Sequence, residues 1–133
     1  MHHKVRAALA AGFALFSIHA VAATQQQLVE AAEGERLFRY IAKSCGGKKY
    51  ASNYVAFSKR YIKSLGANAD ESKQFERIAS QVMNQRLSEK DIADCPNLIS
   101  QLNESVTVRE QAMQAVAAGK DALRELEKLN NEK

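Results

Sequence analysis

Residues 36–69 read RLFRYIAKSCGGKKYASNYVAFSKRYIKSLGANA, and their pattern decides the fold. Before the Gly46-Gly47 pair, Phe38, Ile41 and Cys45 recur at spacings of three and four, the period of one helix face. Ala31 and Gly34 extend that face upstream. After the glycines, Tyr54, Phe57, Tyr61 and Leu65 form a second stripe, with Ser58 and Ile62 beside it. Paired glycines end the first helix and Gly66 ends the second, because glycine tolerates the left-handed backbone of a helix C-terminus. The stretch is a helical hairpin with a glycine turn.

Working outward, Thr24 and Gln27 form a capping-box pattern at the start of the first helix. Downstream, Asn68 with Glu71, or Asp70 alone, caps a third helix whose apolar face is Phe75, Ile78, Ala79, Val82 and Met83. Leu87-Ser88-Glu89-Lys90-Asp91-Ile92 starts a short fourth helix: Ser88 caps it, Asp91 replaces the usual N3 Glu, and Leu87 is placed to staple onto Ile92. Pro96 interrupts that helix and suits the first turn of a longer one carrying Leu98, Ile99, Leu102, Val106, Met113 and Val116. Gly119 is placed to break or bend this helix before an amphipathic, charged tail helix at 120–133, with Leu123, Leu126 and Leu129. Only Val106-Thr107-Val108 leans toward strand, too short a patch for a sheet. The expected fold class is all-α, a compact bundle of four to six helices with one disulfide.

The two cysteines, Cys45 and Cys95, lie 50 residues apart. Cys45 falls at a helix C-terminus, where the dipole disfavours a thiolate, and no C-x-x-C motif is present. A structural disulfide between them is expected, joining the end of the first helix to the start of the long one.

The N-terminus reads as a cleaved secretory signal over residues 1–22. His2, His3, Lys4 and Arg6 form a basic start, 7–18 is an uncharged apolar run, and Ala20-Val21-Ala22 supplies small residues at the cleavage site. The run is shorter than the ~20 residues needed to span a bilayer. A single helical domain, 23–133, would remain in the periplasm or secreted, without a membrane span. All three histidines, His2, His3 and His19, leave with the signal. That removes Ser-His-Asp and Cys-His catalysis and histidine-ligated metal.

Charge placement carries the functional signal. Residues 36–69 contain no Asp or Glu but eight cations: Arg36, Arg39, Lys43, Lys48, Lys49, Lys59, Arg60 and Lys63. All four tyrosines of the chain, Tyr40, Tyr50, Tyr54 and Tyr61, lie in the same window. Cations attract an anionic partner over distance, and tyrosine adds contact area and a hydroxyl. The competing reading pairs these cations with acids on other helices and places Tyr54 and Tyr61 in the core. Lys43, Lys48, Lys49, Tyr50, Lys59, Arg60 and Lys63 are the candidate binding residues, with Lys48-Lys49 at the exposed turn.

No paired carboxylates in an aromatic cleft, glycine-rich phosphate loop or G-x-S-x-G occurs, so no catalytic residue, metal ligand or cofactor is assigned. The expected function is non-enzymatic: a small exported binding, inhibitor or adaptor protein that docks a protein or anionic envelope component, not nucleic acid, through the basic hairpin. The alternative is a chaperone or assembly factor using an apolar groove between helices, with the 120–133 tail as a lid.

Overall fold

The computed structural model describes residues 24–84 and 86–132. The signal-peptide reading falls on 1–22 and lies outside them. Four helices follow in order: α1 (Gln25–Ser64), α2 (Ala69–Ala79), α3 (Glu89–Ala93) and α4 (Cys95–Asn131). No strand occurs among the described residues.

Along α1 the helical backbone is broken once, at Gly47, with φ 83° and ψ 177°. That combination is essentially reserved for glycine. The chain reverses there. Arg39 Nη2 donates to Ser58 Oγ at 3.0 Å, although the two lie 19 residues apart. A straight helix would separate them by roughly 28 Å. α1 is therefore the expected hairpin, with arms over 25–46 and 48–64. Gly46 is required for a different reason: a Cβ there would sit 2.6 Å from Tyr50 Cγ, inside the ring that crosses the turn.

The hairpin forms the middle layer. α2 packs on one face and α4 on the other, and the core collects where they meet. The first arm contributes Leu28, Ala31, Phe38 and Ile41, and the second Tyr54, Phe57, Tyr61 and Ile62. α2 adds Phe75 and Ile78, and α4 adds Leu98 and Leu102. Leu65 is half-buried beside them.

The caps form as their sequences imply. Thr24 with Gln27, Asn68 with Glu71 and Ser88 with Asp91 each make a reciprocal capping box. Pro96 sits in the first turn of α4. The Cys45–Cys95 disulfide joins the turn end of the first arm to the start of α4, with Cα atoms 5.1 Å apart. In the loop-closure account a ring of this size stabilises the fold by about 4 kcal/mol.

Three expectations change. α2 stops at Ala79, so Val82, placed on its apolar face by spacing, is 82 % exposed. The Arg36 guanidinium takes the carbonyls of Gln81 at 3.2 Å and Val82 at 2.7 Å, holding the chain out of the helix. Ile92 stays 57 % exposed rather than clamped by a staple. Gly119 neither breaks nor ends a helix: α4 runs through it, so the tail continues α4 instead of forming a helix of its own.

Candidate functional site

The face of the hairpin that meets α4 is closed. Arg109 of α4 is 4 % exposed and reaches Glu35 Oε2 at 3.1 Å and the Tyr54 hydroxyl at 3.5 Å. Its guanidinium carbon stands 5.4 Å from the Phe38 ring centroid and 5.1 Å from that of Tyr61, within cation–π range of both. Burial pulls the Arg109 pKa down, but Glu35, Tyr54 and Tyr61 outweigh it and hold the guanidinium above its usual value. Burial, followed by the Glu35 charge, pushes the Tyr54 hydroxyl well above its ordinary 10.0. Burial raises Tyr61 as well. The two buried charges of this face, Arg109 and Glu35, pair with each other through Oε2, while Glu35 Oε1 is buried without a hydrogen-bond partner among the described residues.

Toward the turn, the Tyr50 hydroxyl donates to Asn103 Oδ1 at 2.8 Å. Tyr50 thus faces α4, and burial raises its pKa. The Tyr40 hydroxyl accepts from the Leu87 amide at 3.0 Å, anchoring the connection before α3. All four tyrosines are bound into the fold.

The opposite face is open. A cavity of about 890 Å³ lies between the two arms and the end of α2. Tyr40, Ala51, Val55, Ala56, Ala79, Val82 and Met83 give it apolar lining, with Ser44, Ser52 and Ser80 among them. Its charged lining is Arg36, Arg39, Lys43 and Lys59 against a single acid, Glu76. Arg39 holds Glu76 through both carboxylate oxygens, at 3.0 and 2.5 Å. Arg39 is 8 % exposed, and its Nε is buried with no partner among the described residues. Arg36 is occupied with the two carbonyls and with Glu33 at 3.5 Å. Lys43 and Lys59 are exposed and make no salt bridge among the described residues. The cavity therefore pairs an apolar floor with a cationic wall whose charge exceeds what its one carboxylate can neutralise. Such a surface is chemically suited to an anion attached to an apolar body.

Of the residues singled out by charge, Lys43 and Lys59 line this cavity. Helical spacing continues the Ser52, Val55 and Lys59 stripe to Lys48 at the turn and Lys63 at the far end. Lys49 and Arg60, both exposed, lie off that stripe, and Tyr50 points the other way. Arg36 and Arg39 line the site without having been singled out. Their signal was helical spacing with Tyr40 and Lys43 on one arm. Arg109 and Glu35 were also missed. Arg109 occupies the apolar register of Leu102, Val106 and Met113, a charge where the pattern calls for an apolar residue.

No group of three or more His, Cys, Asp or Glu able to hold a metal ion occurs among the described residues. No described helix is long and apolar enough to cross a membrane. Comparison with known proteins returns no matching family model, no matching curated relative and no matching solved structure.

Proposed function

We propose that the protein is an exported, non-enzymatic binding protein, of the adaptor or inhibitor kind, that takes an anionic, partly apolar group of its partner into the cleft of the α1 hairpin. The observation that carries this reading is the imbalance of the cleft: four cations face one carboxylate, and two of them, Lys43 and Lys59, make no salt bridge among the described residues. In the proposed complex the two lysines meet the anion, Arg39 holds the wall through Glu76 and Ser58, and the alanines and Val55 receive the apolar portion. Lys48 and Lys63 extend the attraction along the stripe. Export is supported by the residue pattern of 1–22, and an oxidising compartment by the disulfide.

The test is quantitative capture of partners from an envelope extract of the source organism. Lys43→Glu/Lys59→Glu should lower recovery at least tenfold, whereas Lys49→Glu/Arg60→Glu, an equal charge change off the stripe, should leave it nearly unchanged. Equal losses from both would reduce the site to general electrostatics. No loss from either would end the reading.

The chaperone alternative draws on the same apolar floor and on the exposed leucines of α4. No residue of α4 lines the cleft, so a lid would have to come from elsewhere. Deletion of 120–133 should abolish protection of an unfolded client if the tail takes part.

A further inference from the structure

The last half of α4 has no role in the body. Residues 114–132 are all exposed, the length of a five-turn helix projecting beyond the hairpin. An isolated helix of this size is marginal in water, and most helical stability comes from packing an amphipathic face. This helix has such a face. Val108, Ala112, Ala115, Gly119, Ala122, Leu126 and Leu129 follow alternating spacings of four and three, the seam of a coiled coil. The seam lies roughly a third of a turn round from Leu98, Leu102 and Arg109, which face the body. Val116 and Leu123 flank it, 40 % and 60 % exposed, and Leu126 and Leu129 are each 59 % exposed. The ion pairs Asp121–Arg124 and Glu125–Lys128 lie on the polar face, with Glu125 at its edge beside the seam.

We propose that this seam, from Ala112 to Leu129, pairs antiparallel with the same segment of a second copy of the chain. The size gradient along the seam selects that partner and direction. Its first half holds only small residues and its second half ends in leucines. A parallel pair would stack alanine on alanine and then leucine on leucine, so one helix separation could not suit both ends. An antiparallel pair offset about the Gly119–Ala122 centre sets Ala112 against the partner's Leu129, Ala115 against the partner's Leu126 and Gly119 against the partner's Ala122. The two ends of the pair then match in volume, each made of Ala–Leu layers, and the smaller Gly119–Ala122 layers fall at the centre, where the helices approach most closely. Val116 meets the partner's Leu123 on one flank. On the other, Glu125 faces the partner's Ala118 and Glu132 faces the partner's Gln111, so no like charges meet. A Cβ at Gly119 would meet nothing within 4 Å in the single chain, leaving room for a close helix there.

Charge argues against a membrane as occupant. Residues 112–129 carry Lys120, Arg124 and Lys128 against Asp121, Glu125 and Glu127, a neutral balance, whereas helices lying on anionic bilayers are rich in Lys and Arg on the polar face. The paired segments are about 27 Å long. Two such faces would bury roughly 1,000 Å² in total, the lower bound for a specific interface and consistent with a reversible dimer.

Sedimentation equilibrium of the disulfide-bonded protein tests this. The expected mass doubles with rising concentration, and Leu123→Glu/Leu126→Glu or Ala115→Lys returns it to monomer. Ala115→Lys keeps helix propensity, and Ala115 is exposed, so loss of fold does not explain its effect; an unchanged urea midpoint at monomeric concentration checks that. Mild oxidation reads direction: Ala115→Cys/Leu126→Cys should link two chains, while Leu126→Cys alone should not. A monomer at every concentration would overturn the proposal, as would a dimer untouched by these substitutions. Linking by Leu126→Cys alone would overturn the antiparallel arrangement. Flotation of a monomeric protein with phosphatidylglycerol vesicles, lost in Leu123→Glu/Leu126→Glu, would assign the seam to a membrane instead.

Discussion

On the face of the hairpin toward α4, Arg109 enters the core from outside and is met by a buried carboxylate, a tyrosine hydroxyl and two aromatic rings. On the face toward α2, Arg39 is as nearly buried, yet its carboxylate partner Glu76 sits at the edge with its side chain 32 % exposed, and more cations lie beside it than acids. The difference is one of accounting for charge. The first face imports a cation and supplies an internal acid, so it closes without surplus. The second is built from the acid-free window itself, and its lining cations outnumber its one carboxylate, Glu76. Burial of an arginine marks a closed core in one case and the back wall of an open cleft in the other.

The sharpest way to break this contrast is at Arg109. Arg109→Met leaves Glu35 buried and unpaired and should cost about 3–5 kcal/mol in urea unfolding, with Glu35→Leu/Arg109→Met recovering much of it. If the double variant were no better than the single, Arg109 would contribute through packing and not through its charge. The matching change on the open face, Arg39→Met, should cost less, about 1–3 kcal/mol, because Glu76 can turn to water. Equal costs would erase the distinction between the faces.

A pH series separates them again. Tyr54 and Tyr61 have folded pKa values raised above 10.0, so their contribution is complete below that pH. Above it the unfolded chain releases protons that the folded chain keeps, and stability falls by up to about 1.4 kcal/mol per pH unit for each such group. Chemical denaturation between pH 9 and 11 should show the decline, and Tyr54→Phe should remove the larger share. A flat profile would mean these hydroxyls reach solvent. The smallest stability effect belongs to the cleft. Lys43→Glu/Lys59→Glu should change the free energy of unfolding in urea by less than about 0.5 kcal/mol, since neither lysine makes a salt bridge among the described residues. A larger loss would show that the lysines hold the fold, and would weaken their assignment to a partner.

Much of the architecture is legible in residue order. Gly46-Gly47 between two apolar stripes reads directly as a reversal, and the three capping boxes place their helix starts, because both features depend on neighbours within a turn. The end of α2 is not legible. Val82 and Met83 keep helical spacing, and only Arg36, 46 residues upstream of Val82, shows why the helix stops before them. The candidate site is half legible for the same reason. The acid-free window and the placement of Lys43 and Lys59 are local facts. Which cations are consumed internally depends on where Glu76, Ser58 and two backbone carbonyls arrive. A charged residue in an apolar register, as Arg109 is, signals a buried pair but does not name its partner.

The cross-link between Cys45 and Cys95 has one more consequence. The ring it closes contains the second arm, α2, α3 and the largely exposed connection that follows Ala79. A single cut in that connection gives two polypeptides that cannot diffuse apart at any dilution. The nicked molecule can regain its fold by a first-order step, as the uncut one does, and the damage would show only when the protein is denatured and reduced.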